Sequence, residues 1–244
     1  MANDMRCPIV ELRQYTLRRG QRDVLIDLFD REFVETQEAL GIAILGQFRD
    51  LDDPNRFVWL RGFDDMRGRA EALGRFYGGP VWKAHSQQAN ATMTDSDNVL
   101  LLRPVTARSG FPPAATRPPV GHTTSPSSLI LVTLYHRDRP FGAAFADFFD
   151  RQMRPVLTET GAPPLAYLQT EHAENTFPAL PVRTGENIFV WFARFAGLTN
   201  LDDHLRALKR SDSWQQRVLP ALSATLASAP RRLRLTPTAR SLLR

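Results

Sequence analysis

The chain has 244 residues, with a hydrophobic fraction of 43%, a charged fraction of 23% and a formal net charge of +5. That composition is that of an ordinary globular protein, long enough for one large domain or two small ones. The positive charge is almost all arginine and is scattered among acids, as in Arg18, Arg19 and Arg22 beside Asp23, Asp27 and Asp30, so it reads as solvated surface rather than a nucleic-acid stripe.

In chain order, Ile9 to Leu17 alternates as a strand and ends at Arg19-Gly20. Gln21 to about Leu40 is a helix, with Leu25, Leu28, Phe29 and Phe33 on one face and Gly41 as its stop. Ile42 to Leu51 and Arg56 to Phe63 are strands joined as a hairpin by the turn residues Asp52-Asp53-Pro54-Asn55. Asp64 or Asp65 caps the next helix, which buries Ala70, Leu73 and Phe76. Gly78-Gly79-Pro80 breaks it, a further helix runs to about Thr92, and Asn98 to Val105 is a strand. Residues 106–127 are a Pro-rich linker. The order then recurs: strand Leu129 to Arg137, helix Phe141 to Thr160, strand Leu165 to Thr170, a loop from His172 to Glu186, strand Asn187 to Phe195, helices Leu201 to Lys209 and Trp214 to Leu226, and strand Arg231 to Thr236.

Residue identities recur with the elements. Phe57-Val58-Trp59 returns as Phe189-Val190-Trp191, and Trp82 as Trp214, at an offset of 132. Upstream the offset is 120, taking Tyr15 to Tyr135, Phe29 to Phe149 and Gly41 to Gly161, so one insertion separates the copies. A duplicated βαββαβ unit has helices on one sheet face only, and its other face needs cover. The expectation is an α+β chain of two tandem ferredoxin-like units, 8–105 and 128–237, which cover each other as a pseudo-dimeric α/β barrel with the helices outside.

The segments Val10-Glu11-Leu12-Arg13-Gln14-Tyr15-Thr16-Leu17, Phe57-Val58-Trp59 and Phe76-Tyr77-Gly78-Gly79-Pro80-Val81-Trp82 resemble the NIPSNAP family, closely over residues 9–104 and more weakly over 128–236. The resemblance implies the dimeric α/β-barrel group. It leaves function open, because that group includes cofactor-free enzymes, haem proteins and members of unknown role.

Alternation splits each strand into two faces. Assigning Val10 and Leu12 to the helices turns Glu11, Arg13 and Tyr15 into the barrel, together with Trp59 and Arg61 on the third strand and Gln47 and Arg49 on the second. The second copy replaces Glu11 by Leu131, Arg13 by Thr133, Arg61 by Ala193 and Gln47 by Tyr167, and offers Tyr135, Tyr167 and Trp191 as an aromatic wall. A polar wall facing an aromatic one fits a pocket for an aromatic or polyketide-like metabolite with one anionic or carbonyl end. In that reading Arg13 or Arg61 holds the oxyanion, Glu11 or His85 moves a proton, and Tyr15 donates a hydrogen bond. Gln47, Arg49, Trp59, Arg61, Tyr135, Tyr167 and Trp191 bind substrate, and the chemistry is proton transfer, cyclisation or oxygenation without a cofactor. The competing readings are a buried ion-pair network in which His85 is an ordinary surface histidine, a non-catalytic carrier or interaction protein, and a haem protein with an axial histidine.

No zinc spacing, P-loop, GxGxxG or nucleophile elbow occurs. No apolar run nears the ~20 residues of a membrane span. Met1 to Cys7 shows no signal-peptide stretch, and one cysteine fits a cytoplasmic chain. A small-molecule ligand, no nucleic acid, and pairing of pseudo-dimeric chains into a homo-oligomer complete the expectations.

Overall fold

The computed structural model describes residues 7–112 and 116–244; the signal-peptide reading of residues 1–6 and the linker's Pro113 lie outside the described residues. Strand β1 (Ile9–Leu17) pairs antiparallel with β3 (Arg56–Phe63) on one side and with β5 (Val99–Pro104) on the other. β2 (Ala43–Asp50) pairs with β3 through the expected hairpin. β4 (Met93–Asp95) is a short addition to the end of β1 that alternation did not reveal. In the second half β6 (Leu129–Arg137) lies between β8 (Asn187–Phe195) and β9 (Arg231–Pro237), and β7 (Pro164–Thr170) flanks β8. Two pairings join the halves, β5 with β7 and β2 with β9, so eight strands close into one antiparallel barrel. Closure leaves none of the eight main strands with an open edge.

Among the described residues six helical segments wrap the outside: α1 (22–38), α2 (Met66–Tyr77), α3 (Pro80–Thr92), α4 (143–159), α5 (Leu198–Arg210) and α6 (214–223). Asp65 caps α2, its side chain accepting from the Gly68 backbone N–H at 2.6 Å. α1 makes a π turn over Phe29–Phe33 and α4 one over Phe149–Met153, a separation of 120 residues. Strand register keeps both offsets of the sequence repeat: Tyr15 faces Phe57 and Tyr135 faces Phe189, while Glu11 faces Arg61 and Leu131 faces Ala193.

The barrel interior is an apolar core drawn from both halves, including Val10, Leu12, Val58, Leu60, Val132, Leu134, Val190 and Phe192. An eight-stranded barrel is narrow enough for its own side chains to fill. The face assignment made from alternation is therefore reversed. Tyr15 and Trp59 belong to the helix-side core of the first half, and Tyr135, Tyr167 and Trp191 to that of the second. Glu11, Arg13 and Arg61 lie on the helix side with Tyr15 and Trp59, and Gln47 and Arg49 bond there to α1. No polar wall opposes an aromatic wall; the two lie in separate layers on the outside of one barrel. The physical reason is partnership: a charge inside the barrel would meet only aliphatic groups, whereas the helix layer supplies Arg69, Gln37 and Tyr77.

The described part of the linker contacts both halves. Phe111 packs against Phe192 at the barrel end, and Arg117 bonds to the Ile44 carbonyl at 2.5 Å and to Glu38 at 2.6 Å. Among the described residues, no helix is long and apolar enough to cross a membrane.

Candidate functional site

Glu11, near the start of β1, has three guanidiniums around it. Its Oε2 accepts from Arg13 Nη1 at 2.6 Å and from Arg61 Nε at 2.8 Å, and its Oε1 accepts from Arg69 Nε at 2.7 Å. Arg13 is 1% exposed and the other three are fully buried. Burial alone would push the Glu11 carboxyl up, but Arg61, Arg13 and Arg69 together hold it well below the usual carboxylate range. A carboxylate so stabilised is a poor proton acceptor near neutrality, so the proton-moving role expected for Glu11 does not suit its surroundings. What Glu11 does is fix three arginines in place.

The arginines carry more donors than the layer has acceptors. Arg61 Nη1 reaches Gln37 Oε1 at 3.3 Å and the Tyr77 hydroxyl at 3.5 Å, and Arg13 Nε donates to the Tyr15 hydroxyl at 2.9 Å. Arg61 Nη2, Arg69 Nη2 and Trp59 Nε1 are buried without a hydrogen-bond partner among the described residues. Burial raises the Tyr15 phenol despite the opposing pull of Arg13, so it stays protonated and keeps its own O–H to donate. The Arg13 and Arg61 guanidiniums also lie 5.5 and 5.1 Å from the Trp59 ring centroid. The layer thus has an excess of positive charge and spare donors, the chemistry that receives a carboxylate, an enolate or a carbonyl oxygen.

The other expected residues fall elsewhere. His85 lies on α3, its Nε2 3.6 Å from Glu32 and its ring against Phe33, and takes no part in the arginine cluster among the described residues. Gln47 donates to Asp30 Oδ1 at 3.1 Å, and Tyr167 donates to Asp150 Oδ1 at 2.8 Å, so these equivalent strand positions make one and the same contact to the π turn of each half. Half-buried Arg49 pairs with exposed Asp23 at 2.8 Å. Tyr135 accepts from Trp191 Nε1 at 3.0 Å, and burial pushes its phenol up to about 12. His204 is tied to the Thr160 carbonyl, and His136 stands beside Glu186. Among the described residues no group of three or more His, Cys, Asp and Glu side chains is placed to hold a metal ion.

Arg69 and Gln37 were missed from the sequence. Yet α2 buries Arg69, Ala72, Leu73 and Phe76, the spacing of a single helix face on which Arg69 is the one charged member. The roof was missed as well: Asn175 and Thr176, from the loop between β7 and β8, accept from Arg69 Nη1 at 2.9 and 3.4 Å.

Register, burial and the paired tyrosine–tryptophan positions make the first half the one that carries the polar layer. Residues 10–107 match the NIPSNAP family model. The matched residues include Glu11, Arg13, Arg61 and Arg69. Over nearly the whole chain the fold resembles a candidate monooxygenase of Fusobacterium nucleatum, with TM-score 0.55 and 8% identity, covering 95% of this chain and 93% of that one. A candidate monooxygenase of Lactobacillus acidophilus gives TM-score 0.52 and 12% identity over 98% and 99%. An anthrone oxidase-like protein gives TM-score 0.55 and 11% identity over 94% and 91%. At these identities the likeness is one of fold. No curated protein matches the sequence.

Proposed function

We propose that the layer between sheet and helices in the NIPSNAP unit is a small-molecule site, and that the chain is a cofactor-independent enzyme acting on an aromatic or polyketide-like compound. The observation that carries this is a wholesale exchange between halves. Glu11, Arg13, Gln37, Arg61 and Arg69 correspond to Leu131, Thr133, Leu157, Ala193 and Leu201, all buried in the second helix layer. The fold therefore holds the same layer together without charges, and an apolar replacement of a buried ion cluster is often neutral or stabilising. Charges that folding does not require, with donors left over, support binding of an acceptor from outside. The same strand order in each half supports the reading of two tandem ferredoxin-like units.

In this reading Arg61, Arg69 and Trp59 receive an ionised oxygen of the substrate, and Tyr15 donates to a neighbouring oxygen. Donors placed there favour the ionised form of a phenol or enol, and ionisation raises the electron density of the conjugated carbon that meets dioxygen. For an anthrone, the ring methylene and dioxygen give a quinone carbonyl and water. The names of the fold neighbours, monooxygenase and anthrone oxidase-like, favour this oxygenation over cyclisation or plain proton transfer.

A second reading rests on burial: the cluster is closed, and a cavity of about 910 Å³ at the barrel end, lined by Cys7, Phe111 and Leu165, includes none of its residues. There the cluster is a structural network only. One set of replacements separates the two. Glu11→Leu, Arg13→Thr, Gln37→Leu, Arg61→Ala and Arg69→Leu copy the second half's own solution into the first. With oxygen uptake and anthraquinone formation from anthrone as readout, the enzyme reading expects a folded five-fold variant at least about 100-fold slower than wild type. Equal rates, or a wild type inert toward anthrone beside a more stable variant, would leave the network reading standing.

A further inference from the structure

The 171–186 loop stands where the first half has only the 51–55 turn, and it is spent on the other unit. Its base is tied to β5, with the Glu171 N–H on the Leu101 carbonyl and the Arg183 N–H on the Val99 carbonyl, both at 2.8 Å. Its tip crosses α2. Thr176 Oγ1 donates to the Met66 carbonyl at 2.8 Å, and the Phe177 ring stacks on Tyr77 with centroids 6.0 Å apart. Asn175 is fully engaged: Oδ1 accepts from Arg69 Nη1 and from the Phe177 N–H, and Nδ2 donates to the Leu180 carbonyl at 2.9 Å.

Arg69 is thus held from two sides. Glu11 takes its Nε from below, the loop takes Nη1 from above, and Nη2 is left over. Asn175 and Thr176 offer neutral oxygens where an anionic oxygen would bind more strongly, since hydrogen bonds to charged acceptors are roughly twice as strong as neutral ones.

We propose that Asn175 and Thr176, donated by the second unit, are place-holders for ligand oxygens on Arg69, so that ligand and loop compete for this guanidinium. The proposal rests on the arginine cluster being a ligand site. It assigns a role to the diverged half: that half has no polar layer and instead roofs the one in its neighbour. Displacing the loop would also free the Tyr77 face on which Phe177 now stacks, and offer it to a ligand ring. The loop becomes a selector for ligands that pair an aromatic ring with an anionic oxygen, because only such a ligand replaces both the stacking and the hydrogen bonds that the loop gives up. Linkage sets the sign of every effect: whatever weakens the loop's hold on Arg69 strengthens the ligand, and the ligand loosens the loop by the same factor.

The probe is salicylate, a ring with a carboxylate and a phenol, titrated calorimetrically into the whole chain. The double variant Asn175→Ala with Thr176→Val should bind salicylate about 5–10-fold more tightly than wild type, the scale of a modest coupling between sites. Saturating salicylate should speed amide hydrogen exchange over 172–182 in the wild type. Unchanged or weaker binding by the double variant, or slowed exchange over the loop, would overturn the competition. If wild type binds salicylate and the five-fold exchange variant does not, the ligand site stands whatever the loop does. If wild type and loop variant both fail to bind at millimolar concentration, or wild type and five-fold variant bind alike, site and competition fall together.

Discussion

Trp59 and Trp191 stand at equivalent registers and differ by one hydrogen bond. Trp191 gives its N–H to Tyr135, whereas Tyr15 is already engaged by Arg13 and leaves the Trp59 N–H unused. That small difference separates a finished apolar layer from one with capacity to spare. Asp30 makes the same point in energetic terms. Burial pushes its carboxyl up to about 6 against the lowering pull of Arg240 and Arg117. The folded state thus favours the protonated acid, so the contribution of this group is complete below 3.8 and lost as pH rises through about 6. Asp30→Asn keeps the acceptor for Gln47 and removes the buried charge. It should raise unfolding stability by about 1–3 kcal/mol near pH 7.5 and by almost nothing near pH 4, measured by urea denaturation at both. A loss at the higher pH would mean that the carboxylate is worth more as a partner of the arginines than burial costs it. Of the buried cluster, Glu11, Arg13 and Arg61 were legible by comparing the halves. Arg69 was legible too, standing four residues before Leu73 on a buried face. Asn175 and Thr176 were not, because no periodicity says where a loop tip lands.

At the scale of elements, the helix stops are the clearest words in the sequence. Gly41 and Gly161 have φ of +84° and +94°, and the residues after them return N–H groups five positions back, Ile42 to Gln37 and Ala162 to Leu157. A Cβ at either glycine would meet nothing within 4 Å, so the strain of a replacement is purely conformational. Gly41→Ala and Gly161→Ala should each cost about 1–2 kcal/mol and add in the double variant, the sites being independent. Thermal denaturation of the three proteins tests this, and a silent Gly41→Ala would mean that the α1 stop relaxes out of the left-handed region. Strand faces were less legible. Alternation yields two sets per strand, and in a barrel wrapped by helices both are buried, so polarity alone does not say which points inward. The usable signal was constancy between copies: Val10, Leu12, Val58 and Leu60 answer Ile130, Val132, Val190 and Phe192, apolar in both halves. The face that the two halves bury against each other inside the barrel must be apolar in both, whereas the face under each half's own helices is free to differ.

At the scale of the molecule, the halves depend on a segment that carried no sequence signal. Beyond β9, residues 238–244 run on along β2: the Thr238 N–H bonds to the Gln47 carbonyl at 2.8 Å and the Leu243 N–H to the Leu45 carbonyl at 3.0 Å. Ser241 Oγ accepts from the Gln47 N–H, and Leu243 enters the barrel core. Arg240 is 1% exposed, bonded to the Pro118 carbonyl, to the Asp30 carbonyl and to Glu35, and its own carbonyl takes Arg117 at 2.6 Å. One short stretch therefore ties β2, α1 and the linker together and closes one end of the barrel. Ending the chain after Pro237 removes these two backbone bonds, worth about 1 kcal/mol each, and two buried leucines, Leu242 and Leu243, worth about 1.5–3 kcal/mol each. It also leaves Arg117 short of an acceptor. The truncated chain should lose about 5–8 kcal/mol and bind a hydrophobic dye at the opened mouth, where Leu45 comes to face water. Because β2 and β9 remain paired through Phe48, Arg49 and Asp50, the barrel should still close, with its far-ultraviolet dichroism kept while Tm falls. A truncated protein with unchanged Tm and no dye binding would show that the β5–β7 and β2–β9 seams suffice, and that residues 238–244 only lie on the surface they cover.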